Sequence, residues 1–129
     1  TSSYNAIALN DTPDVIEKKV MKAVTDSGSE VVYSPDKPAL KNLLTIYAGL
    51  TGEAPDAIAN RYVNRGYAEF KRDLAQVIIE HLKPIQQRYA QLREDEHVLE
   101  TLLRHGAETV APLAHETLKT VYDRIGLVW

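Results

Sequence analysis

GYAEFKRDLAQVIIEHLKPIQQRYAQL, residues 66–92, is an apolar-striped segment long enough to be the central helix of a domain. Phe70, Leu74, Val77, Ile78, Leu82, Ile85, Tyr89 and Leu92 recur at spacings of three and four, which places them on one face at about 3.6 residues per turn. Lys71, Arg72, Asp73, Gln76, Glu80, Lys83, Gln86, Gln87 and Arg88 fall mostly on the other side, towards solvent or a polar partner. Pro84 lies inside the pattern, where it removes a hydrogen bond and crowds the carbonyl of Glu80, a disruption of about 3 kcal/mol. The stripe stays in phase through Ile85, Tyr89 and Leu92, so the reading is a kink near Pro84 and not a break.

The flanking segments supply the surfaces that cover this stripe. Thr12-Pro13-Asp14 reads as a helix start, with Thr12 as N-cap and Pro13 at the first helical position, and the helix runs to about Thr25. Ile16, Val20, Ala23 and Val24 form its inner face; Lys18, Lys19 and Lys22 lie outside. Asp26 to Glu30 is a turn-rich loop, Val31-Val32-Tyr33 is extended or a very short strand, and Pro35 and Pro38 bar a long helix there. A second helix spans about Pro38 to Thr51, with Leu40, Leu43, Leu44, Tyr47 and Leu50 inward and Gly52 as its left-handed end. Pro55 opens a short third helix bearing Ile58 and Tyr62. Beyond the central helix, Glu94-Asp95-Glu96 begins a fifth, with Val98, Leu99, Leu102 and Leu103 inward and Gly106 as its stop, and a last segment runs from about Ala107 to Ile125 with Gly126 as cap. The expected architecture is all-α, a single bundle of five to six helices around one long central helix.

A chain of 129 residues with 44% hydrophobic and 26% charged residues has the size and composition of one globular domain. No apolar run approaches the length that spans a bilayer, so no membrane partner is expected. With no cysteine, disulfides, thiolate metal sites and cysteine nucleophiles are excluded, and an intracellular protein is permitted. Fifteen basic against eighteen acidic residues give a net charge of −3, which argues against general nucleic-acid binding over the whole surface but leaves room for a local basic patch.

Candidate chemical groups are scattered. His81, His97, His105 and His115 stand singly along the helices, with no second histidine at ligand spacing on one face, and the acidic run at 94–96 does the ordinary work of complementing a helix dipole. No catalytic, metal or cofactor-binding residue is expected in this chain, and a self-contained enzyme would need a convergent polar pocket that the sequence does not show. One local feature rises above background. Arg61, Arg65, Lys71 and Arg72, against Glu69 alone, are interleaved with Tyr62, Tyr67 and Phe70 in a chain that is acidic overall. Cations and rings around a glycine corner suit single-stranded RNA, whose bases stack and whose phosphates need charge; Tyr62 and Phe70 are equally at core spacing, with the charges a solvated face.

The segments DTPDVIEKKVMKAVTDSG (11–28), KPALKNLLTIYAGLTGE (37–53), RGYAEFKRDLAQVIIEHLKPIQQRY (65–89) and HGAETV (105–110) together resemble the carboxy-terminal region of bacterial tryptophanyl-tRNA synthetases. The resemblance is collinear over nearly the whole chain and includes the GY-x-x-FK and L-x-PIQ-x-RY patterns. It implies that residues 1–11 are a loop following a KMSKS-type signature, with Thr1–Ser3 at or just beyond it, and that residues 12–129 are the helical anticodon-binding domain. The signature lysines, the HIGH-like motif and the tryptophan pocket would lie in a missing catalytic domain of the same chain. The parent enzyme, a cytoplasmic ligase and homodimer, forms tryptophanyl adenylate from ATP with Mg2+ and esterifies tRNA(Trp); the piece alone would do neither and would hold no cofactor. In this reading Asp26, Ser27 and Glu30 belong to the loop that approaches the CCA anticodon, where a carboxylate accepts from a cytosine amino group, while Arg61, Arg65 and Lys71 contact the RNA backbone. Asp26 is equally readable as a cap or turn residue. Eukaryotic members carry Arg-Asp near Ser29-Glu30, so the arginine is missing here. The alternative is a structural module that docks on a catalytic domain through apolar residues around Val31-Val32 and Leu127–Trp129.

Overall fold

A computed structural model describes residues 5–128; Thr1–Ser3, expected to adjoin a KMSKS-type signature, and Trp129 lie outside them. Five helices follow in order: α1 (Pro13–Lys22), α2 (Pro38–Thr51), α3 (Pro55–Asn60), α4 (Gly66–Glu94) and α5 (Glu96–Ile125). No strand occurs among the described residues. The chain divides into two compact units, Thr1–Gln87 and Arg88–Trp129, so the division falls within α4.

In the first unit, local chemistry fixes the helix ends. Pro13, Pro38 and Pro55 each occupy a first helical position, where the absent N–H is no loss. Thr12 is the N-cap of α1 by position: its backbone carbonyl accepts the first helical bond, from Ile16 N, while its side chain makes no capping bond. Gly52 closes α2 in the left-handed region at φ 76°, where a side chain would be strained. The turn into α4 uses two more such residues, Asn64 at φ 64° and Gly66 at φ 77°.

The core forms where the stripe of α4 meets α1, α2 and α3. Phe70 and Leu74 are wholly buried, Ile78 and Leu82 nearly so, and they share a cluster with Ile16, Val20, Leu40, Leu44, Tyr47, Ile58 and Tyr62. Phe70 is its centre: the Tyr47 ring stacks at 6.2 Å between centroids and the Tyr62 ring meets it edge-on at 5.3 Å. Helix α4 runs unbroken through Pro84. Beyond it the stripe is no longer covered, with Ile85 43% and Tyr89 48% exposed. Gln86 donates its side-chain amide to the carbonyls of Leu9 (2.8 Å) and Asp11 (2.9 Å), tying the segment before α1 to α4.

Three local readings change. Helix α1 stops at Lys22, short of Thr25: Ala23 leaves the helical region at ψ 135°, and its carbonyl accepts from the Lys71 ammonium at 2.7 Å. Lys71 itself, expected on the outer face, is buried. Val31, read as docking surface, is 3% exposed and belongs to the core, whereas Val32 points out.

The second unit holds the end of α4 and α5. Gly106 does not end a helix: α5 continues through it and through Pro112 for 30 residues. A glycine marks a helix end when it adopts positive φ, and here Gly126 at φ 74° does so, while Gly106 is not among the positive-φ residues. An interior glycine costs only about 1 kcal/mol relative to alanine, which a long helix can carry. Asp95 caps the helix, its side chain accepting from Val98 N at 3.1 Å. No residue of α5 is buried; Leu103, Val110, Leu113 and Ile125 are each more than half exposed.

Candidate nucleic-acid interface

Two surface elements of the first unit bear the residues singled out in the sequence: the loop between α1 and α2, and the corner between α3 and α4. The loop residues Asp26, Ser27, Gly28, Ser29 and Glu30 are all exposed. Their backbone lies outside any helix or strand, and two of its groups are met by side chains, Gly28 N by Asp26 and the Glu30 carbonyl by Lys37. Asp26 Oδ1 accepts from its own loop, Gly28 N at 2.7 Å, in the manner of an Asx turn. The same oxygen accepts from the Tyr67 hydroxyl at 2.7 Å, 41 residues further along the chain. Lys37, the residue before α2, donates to the Glu30 carbonyl at 3.0 Å and to the Tyr67 hydroxyl at 3.1 Å, and its ammonium lies 3.9 Å from Asp26 Oδ1.

The electrostatics follow from these contacts. The hydrogen bond from Tyr67 and then that from Gly28 hold the Asp26 carboxyl below the usual carboxylate range. Lys37 is pushed up, chiefly by its bond to Tyr67. Desolvation, then the bond to Asp26, raises the Tyr67 phenol above its ordinary value.

Tyr67, in the first turn of α4, ties the loop to that helix, and Arg65 precedes Tyr67 by two residues in the chain. Arg65 is exposed and pairs with Glu69 at 2.9 Å, one turn along. Arg61 is exposed, pairs with Glu53 at 3.2 Å and lies over the Tyr47 ring at 5.5 Å from its centroid. Such exposed pairs are worth at most about 1 kcal/mol, so either guanidinium can exchange its carboxylate for a phosphate at little cost.

The structure therefore joins the loop of Asp26, Ser27 and Glu30 to the first turn of α4 through Tyr67, leaves Arg61 and Arg65 exposed near the start of that helix with carboxylate partners of their own, and turns Lys71 inward. The Lys71 ammonium is turned into the domain, onto the Ala23 carbonyl and Thr25 Oγ1 (3.3 Å), and burial pushes its pKa down. Tyr67 and Lys37 were missed as a pair. Asp26-Ser27-Gly28 is a turn signature that points to a carboxylate engaged with its own backbone; its distant partners leave no such local trace.

The family model for tRNA synthetases class I (W and Y) matches residues 1–83. The chain belongs to this family. Among curated members, it is 45% identical over 124 residues to the tryptophan–tRNA ligase of Wolinella succinogenes, covering 96% of this chain and 38% of that protein. It is 46% identical over 125 residues to that of Listeria monocytogenes, covering 95% and 37%. The chain thus spans under two-fifths of the length of these class I synthetases. The crystal structure of the Mycoplasma pneumoniae tryptophanyl-tRNA synthetase superposes with a TM-score of 0.77 at 24% identity, over 99% of this chain and 40% of that one, which shows the shared fold.

Proposed function

We propose that this chain is the helical domain with which a tryptophan–tRNA ligase grips the anticodon end of tRNA(Trp). The observation that carries it is the joining, through Tyr67, of an exposed polar loop to an arginine corner in a chain of net charge −3. The similarity to tryptophan–tRNA ligases supplies the substrate class. With Asp26 Oδ1 already occupied, Glu30 is the freer carboxylate to accept a cytosine amino group, with Ser27 in the same exposed loop; Arg61 and Arg65 meet phosphates. Asp26 serves the site by shaping its loop, and Lys71 lies inside the domain. Holding the far end of the tRNA lets the acceptor end reach a catalytic domain elsewhere in the cytoplasmic, homodimeric parent. ATP and Mg2+ would bind in that domain; among the described residues no three His, Asp or Glu come together as a metal site, and no helix is long and apolar enough to cross a membrane.

The test is a titration against an anticodon stem-loop bearing CCA, beside one with both cytosines replaced. A preference for CCA is expected; equal binding would contradict the anticodon reading. Arg61→Ala and Arg65→Ala should each weaken both RNAs alike and flatten the salt dependence by about one unit of slope or slightly less, since each removes one phosphate contact. Unchanged slopes would remove these arginines from the interface.

A second reading, docking on a catalytic domain, is favoured by an apolar hollow of about 530 Å³ lined by Ile7, Leu9, Val20, Val24, Leu43 and Ile46, among others, and by the exposure of Leu127 and Val128. The two readings are compatible, because the hollow and the loop use different residues.

A further inference from the structure

We infer that Tyr67 is a positioning residue whose hydroxyl, seated between Asp26 and Lys37, holds the 26–30 loop in the shape that discriminates between anticodons. The inference rests on the anticodon reading and adds to it a residue that need not touch RNA.

The argument begins with the loop's composition. Asp-Ser-Gly-Ser-Glu carries no apolar side chain to anchor it and includes a glycine, so its backbone has much freedom to lose on binding. Order must come from outside the loop, and the structure holds it at start, middle and end. Tyr67 fixes Asp26, Asp26 fixes Gly28, and Lys37 fixes the carbonyl of Glu30. The Tyr67 oxygen joins the first of these to the last: it donates its one hydrogen to Asp26 and accepts from Lys37. The packing at Gly28 shows how closely the parts approach. A Cβ there would sit 2.7 Å from Asp26 Oδ1, 3.3 Å from the Tyr67 hydroxyl and 3.4 Å from Lys37 Nζ, so any larger residue must displace the carboxylate from its donors.

A loop pre-formed in this way binds without a further ordering cost, and the saving falls on contacts that need exact placement. Base contacts need it; phosphate contacts made by long arginine side chains do not. Loss of the Tyr67 hydroxyl should therefore erode discrimination and leave the salt dependence alone.

Tyr67→Phe in the 129-residue chain removes the oxygen and keeps the ring beside which the Lys37 ammonium lies, 5.6 Å from its centroid. Amide hydrogen exchange at Gly28 is expected to quicken about tenfold or more, the scale of one hydrogen bond to a charged group. The Asp26 titration midpoint, followed by NMR, should rise towards the ordinary carboxylate value, as it loses its principal stabilising donor. Preference for CCA over the cytosine-replaced stem-loop should fall several-fold with an unchanged salt slope. An unaltered Gly28 exchange rate and Asp26 midpoint would overturn the inference, as would a loosened loop that keeps the wild-type preference. A wild-type chain with no preference for CCA fails the anticodon reading itself and overturns the discriminating role with it; the exchange and titration data would then report only on whether Tyr67 holds the loop.

Discussion

Phe70→Ala is expected to lower the stability of the Thr1–Gln87 unit by about 3–5 kcal/mol, the range for truncating a buried aromatic. Phe70 is 0% exposed, and two tyrosine rings from other parts of the unit rest on it. Alanine would leave a void bounded by Tyr47 and Tyr62, and Tyr62 is further constrained by the bond from its hydroxyl to Asp73 at 2.9 Å, so the walls cannot simply close. Because domains of this size have about 5–15 kcal/mol in total, the variant would be near unfolding. Urea titration followed by the near-UV tyrosine signal would read the loss. A midpoint equal to the wild type would mean that the core is centred elsewhere.

Lys71→Glu is the second large effect, expected to cost about 3–5 kcal/mol. Lys71 is 7% exposed, and its ammonium meets the Ala23 carbonyl and the Thr25 hydroxyl oxygen. A carboxylate there would face a carbonyl that cannot donate, in a site that already penalises charge. Lys71→Met, which keeps most of the stem and drops the charge, provides the complementary measurement. Burial sets the folded Lys71 pKa below its ordinary 10.5, so in the alkaline window between the two the unfolded chain binds more protons. Wild-type stability should gain from this group as pH rises through that window, and Lys71→Met should lack the gain. Chemical denaturation across the window would show it; parallel curves for the two proteins would refute a buried charged lysine.

Lys71 also shows where sequence reading meets its limit. Periodicity located Phe70, Leu74, Ile78 and Leu82 correctly, because four apolar residues at helical spacing leave one face to bury. Position 71 borders that face, and helical spacing assigns its lysine to the other side, towards solvent or a polar partner. Its burial depends on the free carbonyl at the end of α1, nearly fifty residues earlier, and such a partner has no period. Ile85 and Tyr89 continue the pattern in phase yet stay exposed: a stripe records which side is apolar, and tertiary packing decides how far the cover extends. Gly106 misled for a related reason. Residue type permits a left-handed turn, and only conformation makes one, as Gly126 does. At the candidate interface the sequence marked the loop and the arginines; the Tyr67–Asp26–Lys37 junction, assembled from three separated segments, emerged only in three dimensions.

The bonds from Gln86 to Leu9 and Asp11 bear on the order in which the molecule assembles. They join residues 77 and 75 positions apart, among the most distant hydrogen bonds described in the chain. Closing so long a loop is entropically dear, and the reward comes only after α4 has formed to present the amide. Helices with local bonds are free to form in microseconds, whereas this strap must wait for them. The segment before α1 is thus placed to be the last part to settle and the first to lift away, a latch on the helical unit and not a piece of its nucleus.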